Sequence, residues 1–325
     1  MRAIVIQQFG GPEQLVIQEL PIPESQTGHV VIEVKAFGVN HAETHMRKGE
    51  WAEAAKVSGI ECVGVVKTDP GGRLAAGQKV MALMGGMGRT INGSYAEYTS
   101  VPLTNVVPIE SELPWEALAA IPESYATAWT CLHGNLALAA GQSLVIRGAT
   151  SALGQAAVNI AAQAGARVIA TSRNPARSSS LETLGAKHFM LEGADLPKRV
   201  REIHPEGVDS VLELVGNSTV LGSLGMVRRN GRVCEAGWLG GLAPIAAFNP
   251  LLQLPSGVHF SLFGSFMFGT QEFPLSEVPL QAIVDRVADG TYRAKPARVF
   301  RFEGIQEAHR LMESGEANGK IVVVM

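Results

Sequence analysis

At 325 residues the chain exceeds what one hydrophobic core normally organises, so two domains are expected. Hydrophobic residues at 46% and charged residues at 18% exclude disorder, and a net charge of −3 leaves no field that would draw nucleic acid. The three cysteines, Cys62, Cys131 and Cys234, stand far apart in no paired spacing and read as buried thiols, not as a disulfide framework. The apolar run in residues 1–8 is too short for a signal peptide, and no stretch approaches a membrane span without Gly, Ser or charge interrupting it. A cytoplasmic protein is expected.

Residues 1–120 carry short β-type runs at 3–7, 30–36, 64–67, 78–83 and 96–100. Turn-forming pieces such as Asp69-Pro70-Gly71-Gly72 and Gly85-Gly86-Met87-Gly88 separate them, which predicts an irregular all-β domain. From about 125 to 265 the texture changes. Strands are predicted at 143–148, 167–172, 188–191, 209–216, 231–237 and 259–264, with helices at 153–164, 176–184, 194–204 and 218–228. Apolar strands alternating with helices predict a parallel sheet covered on both faces. The last sixty or so residues mix a helix at 276–289, a strand at 297–302, a helix at 304–314 and a strand at 320–324, so they can fold back onto the first domain.

The most informative stretch runs from Ser143 to Ala157 and contains Gly148, Ala149, Thr150, Ser151, Ala152, Leu153 and Gly154. An apolar strand leads into a tight turn of small residues, and a helix follows. Such a turn aims backbone N–H groups and the positive helix end at a pyrophosphate. In the frame G-x-G-x-x-G, Ala149 and Ser151 replace the first two glycines and Gly154 remains. The strand at 167–172 completes a β-α-β unit of the expected size. Its end reads Ser172, Arg173, Asn174, Pro175, Ala176, Arg177. An NAD site usually places Asp or Glu there to hold the ribose hydroxyls. A hydroxyl and two guanidinium groups suit the extra phosphate of NADP, so NADPH is expected over NADH. A solvated turn with ordinary surface arginines is the bland alternative.

Further pieces carry a resemblance. Residues 1–11 followed by Pro12-Glu13, then Gly38-Val39-Asn40, resemble the opening of a quinone oxidoreductase. Gly59-Ile60-Glu61, Gly93-Ser94-Tyr95, Thr127-Ala128-Trp129, Leu184-Gly185-Ala186, Asn230-Gly231-Arg232 and Gly319-Lys320-Ile321 continue the same family order nearly end to end. The chain thus resembles the zinc-independent quinone oxidoreductases of the medium-chain dehydrogenase/reductase superfamily. The resemblance implies a GroES-like catalytic domain from both chain ends, 1–122 and 268–325, with a Rossmann NADP-binding domain at 123–267 inserted. It also implies a homodimer formed through 259–264. Zinc-dependent relatives carry Cys in place of Asn40 and Gly-His-Glu in place of Gly59-Ile60-Glu61; Ile cannot bind a metal and Asn is a poor zinc ligand. No metal is therefore expected, and His41 and His45 lack a third partner.

The same resemblance nominates site residues. Asn40 matches the family's active-site Asn, whose amide can donate to a developing oxyanion, or else it stabilises its loop. Glu43 stands where the family usually has Asp and is expected to organise that loop. His45, beside Trp51, is a candidate proton donor. Tyr125 begins a helix near the substrate and Thr127 matches the family's Thr near the nicotinamide. Ligands of open parallel sheets lie beyond the carboxyl ends of the strands, which points to Val215, Gly216, Gly237, Trp238, Leu239, Phe263 and Gly264. Asn318 and Lys320 are candidates for the cofactor phosphates. The expected reaction is hydride transfer from NADPH to a quinone or similar electrophile. An enoyl or alkenal double-bond reductase and a non-catalytic NADPH-binding redox sensor stay open beside it.

Overall fold

The computed structural model describes all 325 residues, and the chain divides into two units, Met1–Ala126 with Ser265–Met325, and Thr127–Gly264. No helix is long and apolar enough to cross a membrane.

In the first unit, β1 (Arg2–Ile6) pairs antiparallel with β2 (Leu15–Glu19). A larger sheet follows from β3 (His29–Val39), β4 (Glu61–Thr68), β5 (Lys79–Leu83), β6 (Tyr98–Pro102) and β7 (Val106–Pro108). Its strands bury Val30, Ile32, Phe37, Val39, Val80 and Val101 in a common core. Helix α1 (His41–Lys48) starts immediately after β3. The expectation for this stretch named no helix, yet its signals are present. Asn40 caps the start, Glu43 reaches back to the Asn40 N–H at 2.7 Å, and Gly49 ends it with φ 73°. Helices α2 (Trp115–Leu118) and α3 (Pro122–Thr130) close this part of the chain.

The second unit is a six-stranded parallel sheet. In chain order it holds β8 (Ser143–Arg147), α4 (Ala152–Gln163), β9 (Arg167–Ser172), α5 (Ser178–Thr183), β10 (His188–Leu191), α6 (Leu196–Ile203) and β11 (Val208–Glu213). Then come α7 (Val220–Met226), β12 (Val227–Glu235), α8 (Pro250–Gln253) and β13 (His259–Leu262). The spatial order is β10-β9-β8-β11-β12-β13, a doubly wound Rossmann arrangement with its reversal between β8 and β11. All six predicted strands are present. Three of them, β11, β12 and β13, end two or three residues earlier than expected. At β11 the cause is visible, because the Glu213 carboxylate accepts the N–H groups of Val215 at 2.7 Å and Gly216 at 3.0 Å, which turns the chain out of the ladder.

The chain then returns to the first unit with α9 (Leu280–Ala288), β14 (Arg298–Arg301), α10 (Ile305–Ser314) and β15 (Ile321–Val324). Strand β15 lies antiparallel on β3 with Ile321 opposite Val39. That register sets Lys320 opposite Asn40, although 280 positions separate them in the chain.

Candidate functional site

In the second unit the chain leaves β8 through Gly148, whose φ of 72° suits glycine. Ser151 is the N-cap of α4. Its Oγ accepts the Gly154 N–H at 3.0 Å and donates to the Gly148 carbonyl at 2.9 Å. The substitution at the second motif position therefore puts a cap where glycine would leave bare backbone. With Gly154 capped, the N–H groups of Ala152 and Leu153 in the first turn of α4 remain to meet an anion. Gly154 has no room for a side chain. A Cβ there would stand 2.5 Å from the Gly148 carbonyl oxygen and 2.7 Å from Ala149 Cα. This close helix–strand packing is what the last glycine of a dinucleotide turn provides.

Beyond β9, Ser172 is buried and its Oγ accepts the Asn174 N–H at 3.1 Å, while Arg173 is exposed and Arg177 partly so. Past β11 and β12 the loops are laced together. The Leu239 N–H donates to the Leu214 carbonyl at 3.1 Å and the Gly240 N–H to the Val215 carbonyl at 2.8 Å. Gly216 packs on Gly237 and Trp238, and the Leu239 side chain lies against Gly148. The sequence-predicted residues Gly148–Leu153, Val215, Gly216, Gly237, Trp238 and Leu239 thus meet at the carboxyl end of one sheet. Phe263 is buried beyond the edge strand β13, and Gly264 follows it. Thr127 is buried in α3.

In the first unit the structure builds a cluster that the sequence reading had taken apart. Lys320 Nζ bonds Glu61 and donates to Asn40 Oδ1 at 2.6 Å. Asn40 Nδ2 donates to Glu61 at 2.9 Å and to Glu43 at 3.2 Å. Glu43 also accepts the Ile60 N–H at 3.2 Å, and Glu61 the Glu123 N–H at 2.8 Å. Glu43, Glu61 and Lys320 are all buried. Burial pushes the Glu43 carboxyl up to about 7; Lys320 pulls against this and Glu61 adds to it.

Two expectations are corrected here. Both amide hydrogens of Asn40 are committed to carboxylates, so Asn40 is not a free donor for an oxyanion. Lys320 is not an outward cation for a phosphate, because its ammonium is buried between a carboxylate and an amide. Asn318, also expected at the phosphates, is a left-handed turn residue ahead of β15 with φ 52°, and that expectation stands as a proposal. Tyr125 sits 5.7 Å from the Tyr292 ring and is 3% exposed, and burial raises its phenol above the usual range. His45 Nδ1 lies 2.5 Å from Glu50, and its ring stacks on Trp51 at 5.7 Å. No group of three or more His, Cys, Asp or Glu stands together as a metal-binding set.

Sequence reasoning named Glu61 only as part of Gly59-Ile60-Glu61, with no role of its own, and did not single out Arg147, Glu192 or Glu213. A signal existed: Arg147 interrupts the apolar run of β8, and charged residues are rarely buried without a partner.

Comparison with known proteins agrees with this architecture. Residues 26–111 match the family model for the alcohol dehydrogenase GroES-like domain, and residues 152–280 match the zinc-binding dehydrogenase model. The chain is 28% identical over 340 residues to a quinone oxidoreductase of Lama guanicoe, covering all of this chain and 98% of that protein. Among solved structures, an NAD-dependent alcohol dehydrogenase superposes with a TM-score of 0.85 at 29% identity, with both chains fully covered. An Escherichia coli quinone oxidoreductase described as complexed with NADPH gives a TM-score of 0.87 at 21% identity, also over the full length of both.

Proposed function

The chain belongs to the quinone oxidoreductase family of the medium-chain dehydrogenases/reductases, and from that premise we propose that it transfers hydride from NADPH to a quinone or similar electrophilic carbonyl. The observation that carries the reading is the α4 turn, where Gly154 is packed so closely on Gly148 and Ala149 that no side chain fits. The turn Gly148–Gly154 and the first amides of α4 would hold the pyrophosphate. Ser172, Arg173 and Arg177 would hold the adenosine phosphate, with Val215, Gly216, Gly237, Trp238 and Leu239 bordering the remainder. The residues present fit NADPH better than NADH, since no carboxylate faces outward from the end of β9 and Arg173, free of any ion pair, does.

Bound NADPH supplies the hydride, and the protein supplies position and electrostatics. An electron-poor acceptor needs little polarisation, which suits a chain with Asn40 and Ile60 where zinc-dependent relatives keep ligands; we propose that it works without zinc. Asn40 acts as a positioning residue that ties α1 to Glu61 and Lys320. His45, with Nδ1 engaged by Glu50, would pass a proton through Nε2. Two copies would pair through β13, an edge strand with Phe260 and Leu262 exposed.

The test is NADPH oxidation across a panel of quinones and short enones, with and without a chelator. Turnover with quinones that survives the chelator is expected. Faster turnover of enones would make the chain a double-bond reductase, and tight NADPH binding with no turnover on any acceptor would make it a sensor.

A further inference from the structure

Along the carboxyl ends of the parallel strands runs a row of buried polar side chains on one face of the sheet. Strand register sets Arg147 of β8 beside Glu213 of β11, and Glu213 beside Glu235 of β12. Arg147 is the centre of this row. Its Nε and Nη2 form a fork on Glu192, at 3.1 Å and 2.5 Å, while Nη1 donates to the Thr219 carbonyl at 2.9 Å and faces Glu213 at 3.6 Å. Thr171 Oγ1 closes the set, donating to Glu192 at 2.5 Å.

The position of Glu192 gives this pair a meaning. Its N–H donates to the carbonyl of Ser172 at 2.9 Å, so its backbone adjoins the very residue that ends β9. A carboxylate at that strand end favours the ribose hydroxyls of NADH and repels the phosphate of NADPH. Side chains alternate across a strand, so a carboxylate bonded to Thr171 lies on the face opposite the Ser172 hydroxyl. The Glu192 side chain is held inward and is only 11% exposed.

We propose that Arg147 sets the cofactor preference of this chain by drawing the Glu192 carboxylate under the sheet, which leaves Ser172 and Arg173 to face the adenosine phosphate. This deepens the NADPH reading and rests on it. A planar guanidinium suits the task because it engages both carboxylate oxygens in one geometry, which a lysine does not. Released, Glu192 would repel the phosphate and compete with it for the neighbouring arginines.

The experiment measures dissociation constants for NADPH and NADH by tryptophan fluorescence, in the wild type and in Arg147→Gln, Glu192→Gln and the double variant. Arg147→Gln is expected to weaken NADPH roughly tenfold while NADH stays within about twofold, as like charges at a binding site disfavour the charged ligand. The double variant is expected to regain the preference, and Glu192→Gln alone to keep it. A purely structural role would weaken both cofactors alike and would leave the double variant no better than Arg147→Gln; either result overturns the assignment. Should thermal melting show Arg147→Gln unfolded, Arg147→Lys keeps the charge without the fork. A smaller shift in the same direction then supports the assignment, and an unchanged NADPH to NADH ratio overturns it. Wild type that binds neither cofactor overturns the NADPH reading itself, whereas wild type that prefers NADPH with a ratio indifferent to Arg147 overturns this inference alone.

Discussion

The buried cluster of the first unit and the phosphate turn of the second solve opposite problems. Around Asn40 every polar atom of the amide is answered by a side chain, and two carboxylates and an ammonium sit out of water in a closed set. At the start of α4 the main chain leaves the Ala152 and Leu153 donors unanswered, and the turn that leads into it is built of small residues. The first arrangement fixes a shape. The second keeps a place for an anion that the protein does not itself contain. The two should therefore fail differently: the cluster by losing a partner, the turn by gaining an atom.

The largest effect is expected from Lys320→Met, which strands Glu61 in the interior. Removing one partner of a buried pair costs about 3–5 kcal/mol, visible as a lower urea midpoint. Lys320→Met with Glu61→Leu should recover most of that loss. If the single variant is as stable as the wild type, the cluster is not the closed ionic set described. Gly154→Ala inserts a Cβ against backbone that cannot move aside, at a cost of about 1–3 kcal/mol, and NADPH binding should vanish with it. Unaltered NADPH affinity in a folded Gly154→Ala would break the contrast, since the turn would then tolerate what the reading forbids.

A pH titration sharpens the comparison further. Burial lowers His309 from 6.5 to about 3 and His41 to about 4. Between those limits the unfolded chain takes up protons that the folded chain refuses, so this part of the stability is complete above pH 6.5 and is lost as the pH falls. Glu43 acts in the opposite sense. Its carboxyl is raised from 4.5 to about 7, so its contribution is present below pH 4.5 and is lost as the pH rises through 7. Glu43→Gln should then steepen the rise of stability between pH 4.5 and 6.5 by about 1.4 kcal/mol per pH unit, read from urea midpoints. An unchanged slope would mean that Glu43 ionises in the fold as it does in water. The smallest change is expected from Arg173→Gln, an exposed side chain. It should weaken NADPH roughly tenfold without moving the melting temperature, because a charge-assisted phosphate contact is lost and nothing is unpacked.

The alternation of strands and helices from β8 to β13 was plain in the sequence, because a buried parallel sheet requires apolar runs spaced by amphipathic ones. The phosphate turn was equally plain, since its requirements are local: a strand end, small residues and Gly154. Helix α1 is announced only by its caps, Asn40, Glu43 and Gly49, because eight residues between β-type runs are too few for a helical period to stand out. The pairing of Lys320 with Asn40 could not be read at all. It depends on the register of β15 against β3, and nothing local in either segment records that register.

What the sequence determined by itself was therefore the periodic and the local: the order of strands and helices, the turn after β8, the guanidinium groups past β9, and the family they point to. The tertiary structure decided which charged side chains meet. It bonded Asn40 to two carboxylates, buried the Lys320 ammonium beside Glu61, and joined Arg147 to Glu192 across three strands. The physical reason is that a buried charge is stable only beside a partner, and in a folded chain the partner comes from a strand neighbour that sequence distance does not reveal.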